Sequence, residues 1–479
     1  MRFDEFSVGD YVSFSRRFGK SDFLAFRRLS GDSNPLHHDH AYGARSEFGR
    51  TIVPLHLVAA PLSAVAGMHF PGDPSLYLGH ELRALLPVHY GETLAYSARV
   101  VAINSGLRAL TLSVVVLRDA EIVVEGQMRV QARVDEWLTP PEYMRRGLPH
   151  ALVTGASGAI GGAIALELAR RGWRLWLHAR GPCPALDAVV AECRALGSDA
   201  NPIVANLERP ADRSGMVRRL MQDDAPPFLV HAASPGLDSG LDRLVAVNYR
   251  ALKALADAML PRLLRRQAGG VLMIGSTALR HHPAGWDDYI AAKAMSAAYV
   301  EGISSRYARY GVEGLMLFPG FVRTGFSAKW RKEATPALLP EQVADVAAEM
   351  LAEAPVERRG NCVWVEPGRT EFGNWGFQPQ GVVRSGSEKS SDHEPGAVRA
   401  GVSGAAAFEA TARRLLKLPA NLPLAGGGLG RTPGWDSLRH IELLLGLEHA
   451  YGIKFSSGEI EHARDFEGLA NLWMQKVSP

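Results

Sequence analysis

"ALVTGASGAIGGAIALELARRG", residues 151–172, runs from an apolar segment through a glycine-rich turn into a helical pattern. A glycine turn between a strand and a helix is the setting a dinucleotide fingerprint requires. Gly155, Gly158 and Gly161 let the backbone approach a pyrophosphate, with Ser157 and Ile160 on the same turn. The helix start behind them supplies N–H donors and the positive end of its dipole. The rhythm then repeats. "RLWLHAR", "FLVHAAS", "GVLMIGS" and "VEGLMLFPG" read as buried strands with helical patterns between them, which predicts a parallel, doubly wound α/β sheet starting near His150.

Outside this stretch the chain changes texture. At 479 residues it is long enough for about three domains. Hydrophobic residues make up 47% and the formal charge is only +3; neither a nucleic-acid footprint nor a membrane-surface stripe follows. Cys183, Cys193 and Cys362 have no metal-ligand spacing and build no disulfide framework, so no metal is expected and a reducing, cytoplasmic setting is. The N-terminus lacks the apolar run of a signal peptide. The longest apolar stretch, "TIVPLHLVAAPLSAVAGMHF", is interrupted by Pro54, His56 and Pro61 and reads as a buried core helix near 56–69, not a membrane span.

Chemistry enters at "STALRHHPAGWDDYIAAK", which holds Ser276, then Tyr289, then Lys293. Tyr and Lys four apart share a helix face. An ammonium beside the phenol is expected to lower the tyrosine pKa towards working pH. With the glycine turn upstream, the region 149–376 resembles the short-chain dehydrogenase/reductase family, of the 3-oxoacyl-carrier reductase type. The resemblance includes Asn248 in "VAVNYRA" and "PGFVRT" at 319–324. It implies Tyr289 as general acid, Ser276 holding the carbonyl oxygen, Lys293 on the nicotinamide ribose, and Asn248 anchoring a proton-relay water. It also places Gly155, Ser157, Gly158, Ile160, Gly161, Asn206, Lys293 and Thr324 against the cofactor. Two departures stand out: the family's "NNAG" appears as "HAAS" at 231–234, and its usual Asp near the adenine pocket appears as Asn206. In "LHARG", Arg180 sits where a carboxylate would grip the 2′-hydroxyl of NAD. A guanidinium suits a 2′-phosphate, so NADPH is expected ahead of NADH.

Residues 1–148 combine the apolar helix with period-two runs, "TLAYSARVVAI", "ALTLSVVVL" and "IVVEGQMRVQARV". These predict antiparallel strands with one face covered, an α+β arrangement. "SGDSNPLHHDH" gathers Asp32, Asn34, Pro35, His37 and Asp39; Asn-Pro favours a turn, and a carboxylate beside an imidazole can divide proton removal from donation. The string resembles the MaoC-like hydratase family of hot-dog folds. That implies Asp32 and His37 as the pair that adds water to, or removes it from, a trans-2-enoyl thioester. The family's His-Gly after "FGR" is here Pro54-Leu55, and proline offers no N–H to a thioester oxygen.

Residues 377–403 are rich in Gly, Ser, Pro and charge and read as a flexible linker. Beyond them "GWDSLRHIELLLGLE", 434–448, sets Asp436 as a helix cap, Ser437 on the first turn, and Leu438, Ile441 and Leu445 along one face. This region, 404–479, resembles a small all-α, four-helix acyl carrier protein, which implies 4′-phosphopantetheine on Ser437. A tethered carrier raises its effective concentration at its own domains to the order of millimolar.

The three resemblances together imply a trifunctional chain. NADPH reduces a 3-oxoacyl thioester, carrier- or CoA-bound, at Tyr289, and Asp32 and His37 then dehydrate the product. They also imply a ketosynthase, acyl-loading enzymes and a phosphopantetheinyl transferase acting in trans, and a homo-oligomer, a dimer through the hot-dog and/or reductase domains. Two other readings stay open: a hydratase supplying (R)-3-hydroxyacyl groups, and an active reductase with a non-catalytic hot-dog dimerisation scaffold and an unmodified C-terminal interaction module.

Overall fold

The computed structural model describes residues 2–134, 136–137, 143–144, 149–222, 226–330, 335–352 and 360–375, with 408–409, 412–413, 428, 432, 440, 443–444, 447, 451, 453, 455, 459 and 465–477 beyond them. The linker 377–403 and Ser437, with Leu438, Ile441 and Leu445, lie outside the described residues.

In the N-terminal unit β1 (Tyr11–Arg17) leads into α1 (Lys20–Ser30) and α2 (Leu55–Ala59), then β2 (Ser75–Ala84), β3 (Thr93–Asn104), β4 (Ala109–Arg118) and β5 (Glu121–Ala132). The five strands form an antiparallel sheet in the order β1-β3-β4-β5-β2. Its inner face packs on the helical stretch through Leu94, Tyr96, Leu112, Val114 and Val116, and the Tyr96 hydroxyl donates to the Val58 carbonyl at 2.7 Å. This is a hot-dog arrangement. The expected single helix over 56–69 is divided: α2 stops at Ala59, Leu62–Ala64 forms a short turn, and Val65–His69 is π-helical. Pro61 between them has no N–H to continue the ladder.

The second unit alternates strand and helix: β6 (His150–Thr154), α3 (Ala159–Arg170), β7 (Arg174–Ala179), α4 (Pro184–Ala195), β8 (Ala200–Val204), α5 (Pro210–Gln222), β9 (Phe228–His231), α6 (Leu252–Arg266), β10 (Gly269–Ile274), α7 (Asp287–Tyr307), β11 (Val312–Pro319), α8 (Pro340–Ala352), β12 (Cys362–Glu366) and β13 (Arg369–Gly373). The sheet runs β13-β12-β11-β10-β9-β6-β7-β8, parallel except at β13. Every residue of β6, β10 and β11 is buried, as a strand covered by helices on both faces must be. This is a Rossmann-like sheet. The chain order reverses between β6 and β9, and the carboxyl ends of those strands open the crevice where such sheets bind ligands.

The period-two runs predicted one covered face on the first sheet. The structure covers part of the other face as well. Ala95, Val115, Leu117 and Ile122 share a core with Leu255, Met259 and Leu263 of α6. Polar groups lock this contact. Ser97 Oγ donates to the Arg265 carbonyl at 2.6 Å, and Gln267 Nε2 donates to the Ser113 carbonyl at 3.0 Å. Arg99 donates back to the Gln267 carbonyl at 2.5 Å.

At the C-terminus Phe466–Val477 forms a helix, α9. Its Leu469 and Trp473 bury with Phe408, Leu443, Leu444 and Leu447, and with Leu107 and Ala109 from the β3–β4 hairpin. Among the described residues no helix is long and apolar enough to cross a membrane.

Candidate active sites

The glycine turn follows β6 at the carboxyl edge of the sheet. Gly155 holds φ +71, and a Cβ there would meet Ala233 Cα at 2.8 Å; one on Gly161 would meet the Gly155 carbonyl at 2.3 Å. Only glycine fits either position. Gly158 caps α3 without a side-chain bond, so the first N–H groups of that helix stay available to an anion. A cleft of about 540 Å³ opens there, and Gly155, Ser157, Gly158, Ile160, Gly161, Arg180, Asn206, Lys293 and Thr324 all line it. The cradle and the donor set fit a dinucleotide.

Tyr289 and Lys293 lie on α7, both buried, with Tyr289 in the same cleft. A second cavity of about 480 Å³, lined by Ser276, Tyr289, Trp286 and Phe321, adjoins it. Lys293 Nζ donates to the Ile274 carbonyl at 2.8 Å and lies 5.7 Å from the Tyr289 ring centroid. The expected lowering of the tyrosine pKa is reversed in this structure. Burial pushes the Tyr289 phenol up to about 12, against an opposing hydrogen bond from Ser276, and burial brings Lys293 down to about 7. Desolvation dominates at both groups, and at Tyr289 it outweighs the Ser276 hydrogen bond. The phenol is therefore held in its neutral form at neutral pH. Asn248 is buried in the π-helical turn Ala246–Ala251, and its Oδ1 has no partner among the described residues. It lies outside the lining of both cavities, although its neighbour Val247 lines the cleft.

His178, passed over in the sequence reading, and His231, met there only as the first residue of the "HAAS" departure, belong here. His178 accepts the Gly155 N–H on Nδ1 at 3.3 Å and donates from Nε2 to the Ala205 carbonyl at 2.9 Å. His231 bonds Thr154 and Val247. His178 and His231 lie at or next to the carboxyl ends of the buried strands Arg174–Ala179 and Phe228–His231, and that placement is the signal that could have exposed their roles.

In the hot-dog unit the Asn-Pro string builds a compact loop. Asp32 Oδ1 accepts the Asn34 N–H, and Asn34 Oδ1 accepts the Leu36 N–H, each at 3.0 Å. Asp39 caps the next helix by accepting from Ala41 and Tyr42 at 2.8 and 3.0 Å. The Tyr42 amide bond, ahead of the other contributions, holds its carboxyl below the usual range. Asn34 and Asp39 thus shape the loop, and Asp32 and His37 are left facing one another. His37 Nδ1 donates to the Ile52 carbonyl at 2.9 Å, because a carbonyl only accepts. Its Nε2 points to Asp32 Oδ2 at 3.7 Å, with side-chain exposures of 12% and 33%. Pro54 caps α2, and Leu55 is its first residue, with one of the N–H groups that a helix start leaves without an intrahelical acceptor. Tyr90, also unread in the sequence, packs edge-on against Phe23, and burial pushes its phenol up to about 12. Among the described residues no cluster of His, Cys, Asp or Glu could hold a metal ion.

A hot-dog unit with a carboxylate–imidazole pair and a doubly wound unit with a dinucleotide cleft define two enzyme classes on one chain. The chain belongs to the MaoC-like family through residues 7–120 and carries a short chain dehydrogenase domain over 149–335. Over 106 residues it is 39% identical to the (R)-specific enoyl-CoA hydratase of Aeromonas caviae, covering 22% of this chain and 79% of that protein. Over 219 residues it is 27% identical to the 3-oxoacyl-(acyl-carrier-protein) reductase of Staphylococcus aureus, covering 44% of this chain and 84% of the relative. It is also similar to a solved short-chain dehydrogenase from Sphingobium yanoikuyae in complex with NADPH, at 30% identity, 42% and 84% coverage and a TM-score of 0.40.

Proposed function

We propose that this chain is a β-processing enzyme for acyl thioesters. It reduces a 3-oxoacyl thioester to the 3-hydroxyacyl thioester with NADPH and then removes water to give the trans-2-enoyl product. The reading rests above all on one observation: Tyr289, Lys293 and every expected cofactor residue meet in one cleft. Within it, the N–H groups at the start of α3 hold the pyrophosphate and Arg180 takes the 2′-phosphate. Bound NADPH supplies the hydride. Ser276 orients the substrate carbonyl, the Tyr289 hydroxyl gives its proton to the developing alkoxide, and Lys293 holds the ribose beside it. Asn248 Oδ1, buried and without a partner among the described residues, would hold the water that returns a proton to Tyr289. Arg180→Ala is expected to raise the KM for NADPH about tenfold or more and to leave that for NADH nearly unchanged, since only the former loses a charge-assisted contact worth about 1.5–3 kcal/mol. Initial rates with each cofactor check this.

At the other site His37 and Asp32 share the proton transfers that remove or add water. Elimination and hydration are the same reaction run in two directions, and the kinship to an (R)-specific hydratase keeps the hydration direction in view. For the C-terminal region the motif around Ser437 supports a carrier domain bearing phosphopantetheine. Mass spectrometry tests the whole scheme. The chain is treated with a phosphopantetheinyl transferase, loaded with a 3-oxobutyryl group and given NADPH. A hydroxybutyryl and then a crotonyl group on Ser437 is the expected sequence. An unloaded Ser437 removes the carrier role, and an unchanged 3-oxobutyryl group removes the reductase.

A further inference from the structure

His231 ends β9, and both of its ring nitrogens are engaged. It is 2% exposed. Nε2 lies 3.0 Å from the Val247 carbonyl; a carbonyl only accepts, so Nε2 carries the hydrogen. Nδ1 therefore accepts from the Thr154 hydroxyl, at 3.0 Å, and the same hydroxyl accepts the Ala233 N–H at 3.3 Å. Burial, and after it the charge of Lys293, pushes the imidazole down to about 3. The neutral tautomer thus persists at any working pH.

Each end of this imidazole holds part of the reductase site. On one side Thr154 and Ala233 back the glycine turn, with Ala233 pressed against Gly155 so closely that no Cβ fits between them. On the other side Val247 belongs to the π-helical turn Ala246–Ala251, a widened geometry that recurs at functional sites. Asn248 is the next residue. Its carbonyl shares the Ser296 hydroxyl of α7, 3.0 Å away, with the Ala292 carbonyl at 2.9 Å, so the turn is held from β9 and from the helix of Tyr289 and Lys293 together.

We propose that His231 is a positioning residue for the reduction. It ties the floor of the cofactor cleft to the turn that presents Asn248, so that cofactor and proton relay keep one register. The proposal rests on the relay role of Asn248 given above.

The test uses the full chain with acetoacetyl-CoA and NADPH. His231→Leu keeps most of the bulk and removes both bonds. It is expected to lower kcat about 10- to 100-fold, the scale of an ångström's misplacement at a reacting centre, with the thioester KM little changed. The solvent deuterium isotope effect on kcat should rise as return of the proton to Tyr289 becomes slow. A loss of folding stability alone would not produce that signature. His231→Asn should restore the rate, because one amide can donate to Val247 and accept from Thr154. The double variant with Asn248→Ala should fall no lower than Asn248→Ala alone, since both act on one relay. Wild-type kcat and isotope effect in His231→Leu, losses that multiply in the double variant, or no rescue by asparagine would each overturn the proposal. If His231→Leu does not fold, Thr154→Val, which cuts the other end of the tie, must raise the isotope effect in the same way. Asn248→Ala at full rate would remove the relay reading itself and this proposal with it.

Discussion

Tyr289→Phe is expected to lower kcat for reduction of a 3-oxoacyl thioester about 10²- to 10⁴-fold, the range of a lost general acid, while NADPH still binds. Reduction places negative charge on the former carbonyl oxygen, and a proton must arrive as it forms. The Tyr289 hydroxyl is the protonated group in the cleft best suited to give it, since burial pushes it up to about 12. Phenylalanine keeps the ring and its edge contact with Trp286, whose centroid lies 6.1 Å away, so packing survives and the loss can be assigned to the hydroxyl. The raised pKa also fixes a pH signature. The neutral phenol is present throughout the range below about 12, so the forward reduction should not fall as pH rises through neutrality on account of Tyr289. The reverse oxidation needs the phenolate and should climb with pH. Stopped-flow hydride transfer in both directions measures this, and a phenylalanine variant reducing at the wild-type rate would take Tyr289 out of the mechanism.

The two units meet along α6. The outer face of the hot-dog sheet packs on α6, and Gln267, in a left-handed conformation at φ 50, plugs into that sheet through Ser97 and Ser113. Arg309 adds an ion pair to Glu125 at 3.1 Å, and Tyr310 bonds the same carboxylate. Leu255, Met259 and Leu263 of α6 are thus covered within the chain.

Local chemistry explains which parts of this architecture could be read beforehand. β10 and β11 were legible because continuous apolar runs leave little alternative to strands covered on both faces. β8 was not: Pro202 stands inside it, and a proline reads as a strand breaker unless the strand is an edge, which β8 is. The Gly155–Lys293 constellation was legible because short-range spacing on a turn and a helix sets it. The direction of the Tyr289 shift was misjudged, because sequence spacing reports that Lys293 is near but not that both groups are stripped of water. The "HAAS" departure put His231 on view, but its role was not legible, for a related reason. Its two partners, Thr154 and Val247, come from a different strand and a later turn, and only the closed sheet brings them to one ring.

His37→Ala is expected to slow hydration of a trans-2-enoyl thioester about 10²- to 10⁴-fold and to leave reduction at Tyr289 untouched. The geometry gives the imidazole a defined task. Its Nδ1–H is held by the Ile52 carbonyl, which orients the ring and leaves Nε2 facing Asp32. Asp32→Asn should produce a loss of similar order, and the two together should lose little more than either alone if they serve one transfer. The remaining requirement is a donor to the thioester oxygen, which Pro54 cannot be. Leu55 is the first residue of α2, a position where proline is tolerated because its N–H makes no helical bond. Leu55→Pro should therefore fold yet lose about 10²-fold or more in hydration if that N–H serves the oxygen. Absorbance of the enoyl thioester follows every variant. An active wild type with His37→Ala at full rate removes His37 from the chemistry, whereas a wild type that reduces but never hydrates makes the hot-dog unit a scaffold for its neighbour.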